Sequence, residues 1–429
     1  MPLTPPIARS RVPDAVRGAA VSAVALLVSA AAFAVTVVLH VRHPGALVTL
    51  LPSPDMYELH VDFDTFWHST VALVHGTDLY DTPAKLTNLN PPALTVLLAP
   101  FAYIDALTGY RVFAALTLFL VTGAVFVVAR ELRLGRLATV VAVVAVLASS
   151  PLHGTLVLGQ IYGLLLVGLV AGWVAERRGH PVLAACCYGV TVALKPSLAP
   201  VLLLAFAQRR WVPLRAGSVA AVATTALGVV VAGPSATVEW LGIAVTEAVP
   251  GVEANASLPG LAARFGVPTP VGSAVGLAVL AGTLIWCGRH RQEIDPAGTA
   301  PWAVLAAGLL FSPIAWHNYL LLLVPGALVV AARGQRLVAA ALLAAALVPV
   351  SWGAEWPSDA PVPLSLYSAI LLAWWLVLLS LARDGSQSRS GASQSTPAGG
   401  SRSDADAGRP CQEVFSATAS PRLPTPEPP

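Results

Sequence analysis

Residues 108–136 read TGYRVFAALTLFLVTGAVFVVARELRLGR. Beyond Arg111 the run is uncharged through residue 129 and then stops on Arg130, Arg133 and Arg136. About 18 apolar residues suffice to mark a spanning helix, and arginines collect at the inner ends of such helices. The stretch therefore predicts a membrane helix over 108–130 whose last turn lies inside.

The same grammar recurs on either side of it. Arg177 and Arg178, Arg209 and Arg210, Arg289 and Arg291, Arg333 and Arg336, and Arg383 separate further apolar runs. Alternating spans between these clusters predicts helices near 137–150, 160–175, 181–194, 197–208, 213–232, 271–287, 299–313, 317–332, 336–350 and 364–382. Arg9, Arg11 and Arg17 precede an apolar run at 19–41 that is too long for a signal-peptide core. It reads as an uncleaved first helix, giving about twelve spans with both termini inside. The predicted fold class is all-α and polytopic, with a membrane domain over 19–383 between a cytoplasmic segment at 1–18 and a tail at 384–429. Ser, Gly, Pro and Asp dominate that tail, a composition that favours disorder.

Composition agrees. The 429 residues are 56% hydrophobic and only 11% charged, and mean hydropathy is +0.73. Soluble globular chains carry about 25% charged residues. The net charge of +3 comes from interhelical arginines, which is a topology signal and no nucleic-acid footprint. Four scattered cysteines give neither a disulfide framework nor zinc spacing. Lys85 and Lys195 are the only lysines, a weak sign that a compact ammonium is wanted where each stands.

One stretch breaks the apolar pattern. Residues 55–81, DMYELHVDFDTFWHSTVALVHGTDLYD, bring Asp55, Glu58, Asp62, Asp64, His60, His68 and His75 together after the first apolar run. It reads as an outer first loop. Residues 88–104, NLNPPALTVLLAPFAYI, are too short and too rich in proline for a full span, and suit a re-entrant or interfacial segment packed under that loop. The turns opposite the arginines hold Ser149 to His153, Gln160, Lys195-Pro196, the loop 233–270, Trp316 to Tyr319, and 351–363 with Glu355 and Asp359. A polar pocket on the outer face follows.

Each candidate carries a plain structural alternative. A partly desolvated carboxylate at Asp62 has a raised pKa and suits a general base; the alternative is a helix cap. Lys195 can meet a phosphate or simply snorkel. His317 can donate to a phosphate or sugar oxygen, or sit in an aromatic belt with Trp316 and Tyr319. Gln160 can face a substrate or bond a neighbouring helix. Arg264 runs against the inside bias of the other arginines and fits a phosphate, or an ion pair with Glu253.

The order of DFxxFW around Asp62, GTDLYD at 76–81, NPP at 90–92, GQ at 159–160, KP at 195–196, SLPGL at 257–261 and HNY at 317–319 resembles glycosyltransferase family 87. The resemblance runs from about residue 19 to 382. It implies a GT-C type membrane hexosyltransferase using a polyprenyl-phosphate sugar, most closely an α-(1,2)-mannosyltransferase, with arabinofuranose as the nearest alternative sugar. It implies Asp62 as base, with Asp64 in reserve, and Lys195, His317 and Arg264 at the donor phosphate. Asp64, Tyr80, Gln160, Asn255, Ser257, Asn318 and Tyr319 would line the substrate pocket. Many members have Tyr where Phe66 stands and Asp where Asn318 stands. The implied partners are a lipid-linked sugar, a glycolipid or cell-envelope glycan acceptor and membrane lipids, with no metal or cofactor required. The expected location is the plasma membrane with an outer-face site. The rival is a transporter or lipid-linked sugar flippase, kept in view by the proline-broken segment at 90–100, although the charges gather at helix ends where carriers place them near midplane.

Overall fold

The computed structural model describes residues 61–348 and 360–383, with residues 23, 24, 26–32, 34 and 38, and all of these fall in one compact unit, Met1–Asp384. The expected segments 1–18 and 384–429, most of the first helix, and Asp55, Glu58, His60, Glu355 and Asp359 lie outside the described residues.

The described structure is helical throughout, apart from two isolated bridges, Asn255 with Trp316 and Ile294 with Arg383. In chain order the helices are α1 (Val61–His75), α2 (Pro92–Leu98), α3 (Ala106–Glu131), α4 (Arg136–Leu147), α5 (Ser150–Leu158), α6 (Tyr162–Arg177), α7 (Pro181–Leu194) and α8 (Pro200–Ala207). There follow α9 (Trp211–Ala232), α10 (Pro234–Thr246), α11 (Leu258–Arg264), α12 (Thr269–Arg289), α13 (Ala300–Phe311), α14 (Val324–Ala332), α15 (Arg336–Ala345) and α16 (Leu366–Ser380). Short 3₁₀ turns at Pro196–Leu198 and His317–Leu323 lead into α8 and α14.

Most predicted spans reappear within a few residues of their expected ends. Four described segments are long and apolar enough to cross a membrane alone: α3, α9, α12 and Pro363–Ser380. A fifth arises if α4 and α5 are one span bent by 48°. The expected turn at Ser149 to His153 is instead that bend. Ser149 caps α5 by accepting from the Leu152 backbone N–H, and Pro151 sits in the first turn, where its missing N–H costs nothing.

The remaining runs form shorter helices because they are covered by protein. Every residue of α13 from Ala300 to Leu310 is buried, and so is the chain from His317 to Val330. A helix enclosed by other helices need not match the thickness of lipid. By contrast, α9 buries only Pro213, Gly217 and Gly228, leaving its valines outward as a lipid-facing helix would. Gly189 of α7 meets the Gly217 carbonyl so closely that neither position has room for a Cβ.

The expected outer loop is also reshaped. Residues 61–75 are helix α1, with Asp62 and Asp64 in the first turn, where carboxylates complement the helix dipole, and Gly76 at φ 68° ending it. The segment expected to be re-entrant becomes α2 and a 3₁₀ turn, packed against α1 and α9.

The arginines collect at one end of the bundle and are partly paired there. Arg178 bonds Glu131 at 2.9 Å, Arg210 bonds Glu176, Arg383 bonds Glu293 at 2.9 Å, and Arg333 lies 3.6 Å from Asp295. Following each helix away from that end brings the starts of α6, the 3₁₀ turn before α8 and the 3₁₀ turn before α14 to the opposite end, beside the start of α1.

Candidate active site

Phe63 anchors the start of α1. Its ring packs against Phe101, Tyr110 and Phe113 at centroid distances of 5.7, 5.9 and 5.2 Å. Opposite it, Gly159 ends α5 at φ 72°, and a Cβ there would collide with Phe63. Only glycine satisfies both the left-handed backbone and the close approach. The next residue, Gln160, is buried and donates through Nε2 to Oδ2 of Asp62 at 2.6 Å. Packing of Phe63 against Gly159 thus fixes the distance between a carboxylate on α1 and an amide in the break between α5 and α6.

Burial dominates the electrostatics of Asp62. Desolvation raises its pKa to about 6, opposed by the Gln160 hydrogen bond and by the positive charge of Lys195. Lys195 stands at the break between α7 and the 3₁₀ turn, made by Pro196, and its Nζ donates to Oδ1 of Asn90 at 2.8 Å. Asn90 is itself held. Its backbone N–H and Nδ2 donate to Oδ1 of Asn88, at 2.9 and 3.2 Å, and its carbonyl accepts from the Tyr80 hydroxyl at 2.9 Å. Asn88 in turn donates to Ser69 on α1 at 3.1 Å. The NPP and GTDLYD stretches therefore meet beneath Lys195 as a positioning network.

Tyr162, fully buried, lies within electrostatic reach of Asp62, and its ring packs against Tyr319 at 4.7 Å. The Tyr319 hydroxyl is 3.4 Å from Ser197. His317 and Asn318 are almost wholly buried, and among the described residues their four side-chain polar atoms have no partner at hydrogen-bond geometry, the Ser150 backbone being the nearest polar group to act on the His317 ring. Gly154 makes room for them: a Cβ there would lie 2.5 Å from Oδ1 of Asn318 and 2.7 Å from Nε2 of His317. Gly154 lies within α5 and Gln160 just beyond its left-handed end at Gly159. One short helix thus abuts both the unpartnered pair and the Asp62 contact.

Arg264, expected at the donor phosphate, and Asn255 and Ser257, expected in the substrate pocket, are all engaged by other parts of the chain. Arg264 donates to the carbonyls of Val252 and Asn255 and to the hydroxyls of Ser365 and Ser368. Burial pulls its pKa down to about 10, and no ion pair forms with Glu253, whose charge only opposes that shift. Asn255 donates to the carbonyls of Pro250 and Pro313 and accepts from the N–H groups of Ser257 and Ala315. Ser257 caps α11 through Gly260 N–H at 3.0 Å and donates to the Pro313 carbonyl. Together they clamp the 250–257 loop to the turn before His317, whose own N–H donates to the Ala254 carbonyl. Asp64 is buried 3.6 Å from His68, a local pair that does not include Gln160.

Sequence reasoning named Asp62, Gln160 and Lys195 but missed Asn90, Tyr162 and Gly154 as parts of the arrangement. The NPP and GQIYG stretches were the available signals, since both place polar groups beside backbone breaks.

Fold and site together define a multispanning helical membrane protein with one ionisable cluster at the arginine-poor end of its helices. The model of glycosyltransferase family 87 matches residues 88–313, more than half of the chain, and the chain belongs to that family. Asp62 lies 26 residues before the matched span and His317 four residues after it. An α-(1→3)-arabinofuranosyltransferase of Corynebacterium glutamicum is 27% identical over 62% of this chain and 66% of its own length. One from Mycolicibacterium smegmatis is 30% identical over 36% of this chain and 37% of its own. The chain thus spans less than two thirds of the length of these curated relatives. The crystal structure of ArnT from Cupriavidus metallidurans bound to undecaprenyl phosphate covers 80% of this chain and 76% of its own, at 18% identity and a TM-score of 0.34. The mannosyl and α-(1,2) expectations find no support among these relatives.

Proposed function

We propose that this protein transfers a glycosyl unit, arabinofuranose in preference to mannose, from a polyprenyl-phosphate donor to a glycolipid or cell-envelope glycan. The preference for arabinofuranose rests on the curated relatives. The transfer chemistry rests on one observation: a desolvated carboxylate with pKa about 6, oriented by Gln160 at 2.6 Å and within the field of Lys195. In a GT-C type arrangement the donor lipid tail lies along the helices and its phosphate at the arginine-poor end. The positive-inside rule puts that end outside the cell membrane.

Asp62 takes the proton of an acceptor hydroxyl while that oxygen forms a bond to the anomeric carbon. The bond from carbon to phosphate oxygen breaks on the opposite face, so configuration inverts and polyprenyl phosphate leaves with the electron pair. Lys195 offsets the charge that grows on the leaving phosphate. A pKa near 6 keeps the base ionised at neutral pH yet basic enough to accept a proton. His317 and Asn318 offer further donors to the phosphate or the sugar.

The test is incubation of purified protein in vesicles with radiolabelled polyprenyl-phosphate arabinofuranose or mannose and a membrane lipid extract. Label in a new glycosidic product from the arabinofuranosyl donor supports the reading. Product from the mannosyl donor alone overturns the sugar preference. Label that crosses the bilayer without bond formation overturns transfer in favour of a carrier.

A further inference from the structure

At the arginine end, away from Asp62, a cavity of about 550 Å³ opens between the ends of α8 and α12. Arg209, Arg289, Arg291 and His290 contribute to its wall. The acidic groups Glu131, Glu176 and Asp295 at this end are engaged by other arginines, and Glu293, which also lines the cavity, bonds Arg383 at 2.9 Å. His290 is fixed through Nδ1 to the Trp286 carbonyl. Arg209, Arg289 and Arg291 have no ion-pair partner among the described residues. Arg209 holds a left-handed backbone at φ 56°, uncommon for a residue with a side chain, at the turn that delivers it to the cavity.

Ala207 and Ile285 are the apolar side chains of the wall. Ile285 lines it and is 54% exposed, and Phe206, just before the wall residue Ala207, is equally exposed. Three guanidinium groups without an ion-pair partner among the described residues, beside the exposed Ile285 and with Phe206 packed against Trp211 at the adjoining end of α8, match a molecule with an anionic head and an acyl tail. Inorganic phosphate uses only the first feature, and a neutral lipid only the second.

We propose that this cavity is a binding site for one anionic phospholipid, with the headgroup phosphate held by Arg209, Arg289 and Arg291 and an acyl chain along Phe206 and Ile285. Guanidinium groups suit it because they fork onto phosphate oxygens. The site is independent of the transfer reaction.

Native mass spectrometry of the full chain, released from nanodiscs of equal phosphatidylglycerol and phosphatidylcholine, tests it. Wild type should retain one phosphatidylglycerol. Replacing Arg209 and Arg291 by Gln together should lower the preference for it about 30-fold, from the usual contribution per basic residue near a headgroup. The pair Arg130→Gln and Arg136→Gln, which removes the same charge at the same end, should leave it in place. Equal retention in the first pair, or equal loss in both pairs, overturns the site. A photoactivatable phosphatidylglycerol on wild-type protein gives a reading free of folding effects. Cross-links should map to residues 203–209 and 285–292, and cross-links confined elsewhere overturn the proposal. Displacement by millimolar inorganic phosphate as complete as by short-chain phosphatidylglycerol would mean an anion site without lipid selectivity, which also overturns it.

Discussion

Two buried polar groupings at the arginine-poor end of the bundle are built from the same kinds of side chain and reach opposite states. Around Asn255, closure is complete: both amide hydrogens and two acceptor positions are used, Ser257 both accepts and donates, and Arg264 has four partners. Around Asp62 the opposite holds. Among the described residues Gln160 is its one side-chain hydrogen-bond partner, Lys195 bonds a single acceptor, and the His317 and Asn318 side chains have no partner at hydrogen-bond geometry, only the Ser150 backbone acting on the His317 ring. Burial without partners costs roughly 1–3 kcal/mol per group, so unmet valences persist where something else meets them. The closed grouping builds the loop; the open one is where the proposed function places the substrate.

That contrast divides mutational outcomes into loss of rate and loss of stability. The largest effect should come from Asp62→Asn, which removes the base while keeping shape and the Gln160 contact. Transfer should fall by at least ~10³-fold, the upper range for general base catalysis. The carboxylate is destabilised in the fold, so its stabilising contribution is fully present below about pH 4 and is lost as pH rises through about 6. At pH 7.5 the ionised group costs about 3 kcal/mol. The variant should therefore melt no lower than wild type in detergent, and a lower Tm together with retained transfer would erase the contrast. Lys195→Met comes next, with a loss of ~10²-fold or more in kcat from the missing charge at the leaving phosphate.

The pH profile sharpens the comparison at intermediate magnitude. A base with pKa about 6 makes kcat/KM fall tenfold per unit below that value and level off above it. Gln160→Leu removes a hydrogen bond that favours the ionised form, so the acid limb should move to higher pH, with about tenfold less rate at neutral pH. A purely structural glutamine would lower folded protein and leave the limb where it was.

How much of this was legible beforehand follows from the physics of each part. The span ends were legible because arginines mark them: 181–194 was read as α7 and 108–130 as α3 with little error. The bend at Ser149 was not, because a capping serine and a proline at the start of a helix look the same in sequence as a turn between two spans. Asp62 stands out as charge in an apolar chain, and although its segment is helix and not loop it has the raised pKa expected of a desolvated carboxylate. Arg264, Asn255 and Ser257 read in sequence as facing a ligand, while the structure engages all three in bonds within the protein. A polar side chain whose valences are all met by backbone carbonyls looks in sequence like one that faces a substrate. Only the partners distinguish them, and those are fixed by tertiary contacts such as Asn255 with Pro313, 58 residues apart.

The smallest predicted effect is the most direct probe of the closed grouping. Ser257→Ala deletes the cap on α11 and the bond to Pro313 while adding no bulk. Cap loss costs about 1 kcal/mol, and for a chain of this size 1 kcal/mol lowers Tm by roughly 2 °C. The rate per folded molecule should stay within about twofold, because no bond of Ser257 reaches Asp62, Gln160 or Lys195. If instead KM for the lipid-linked donor rose tenfold at unchanged Tm, the loop would be part of the binding surface. Closure by internal hydrogen bonds would then not separate scaffold from site in this protein.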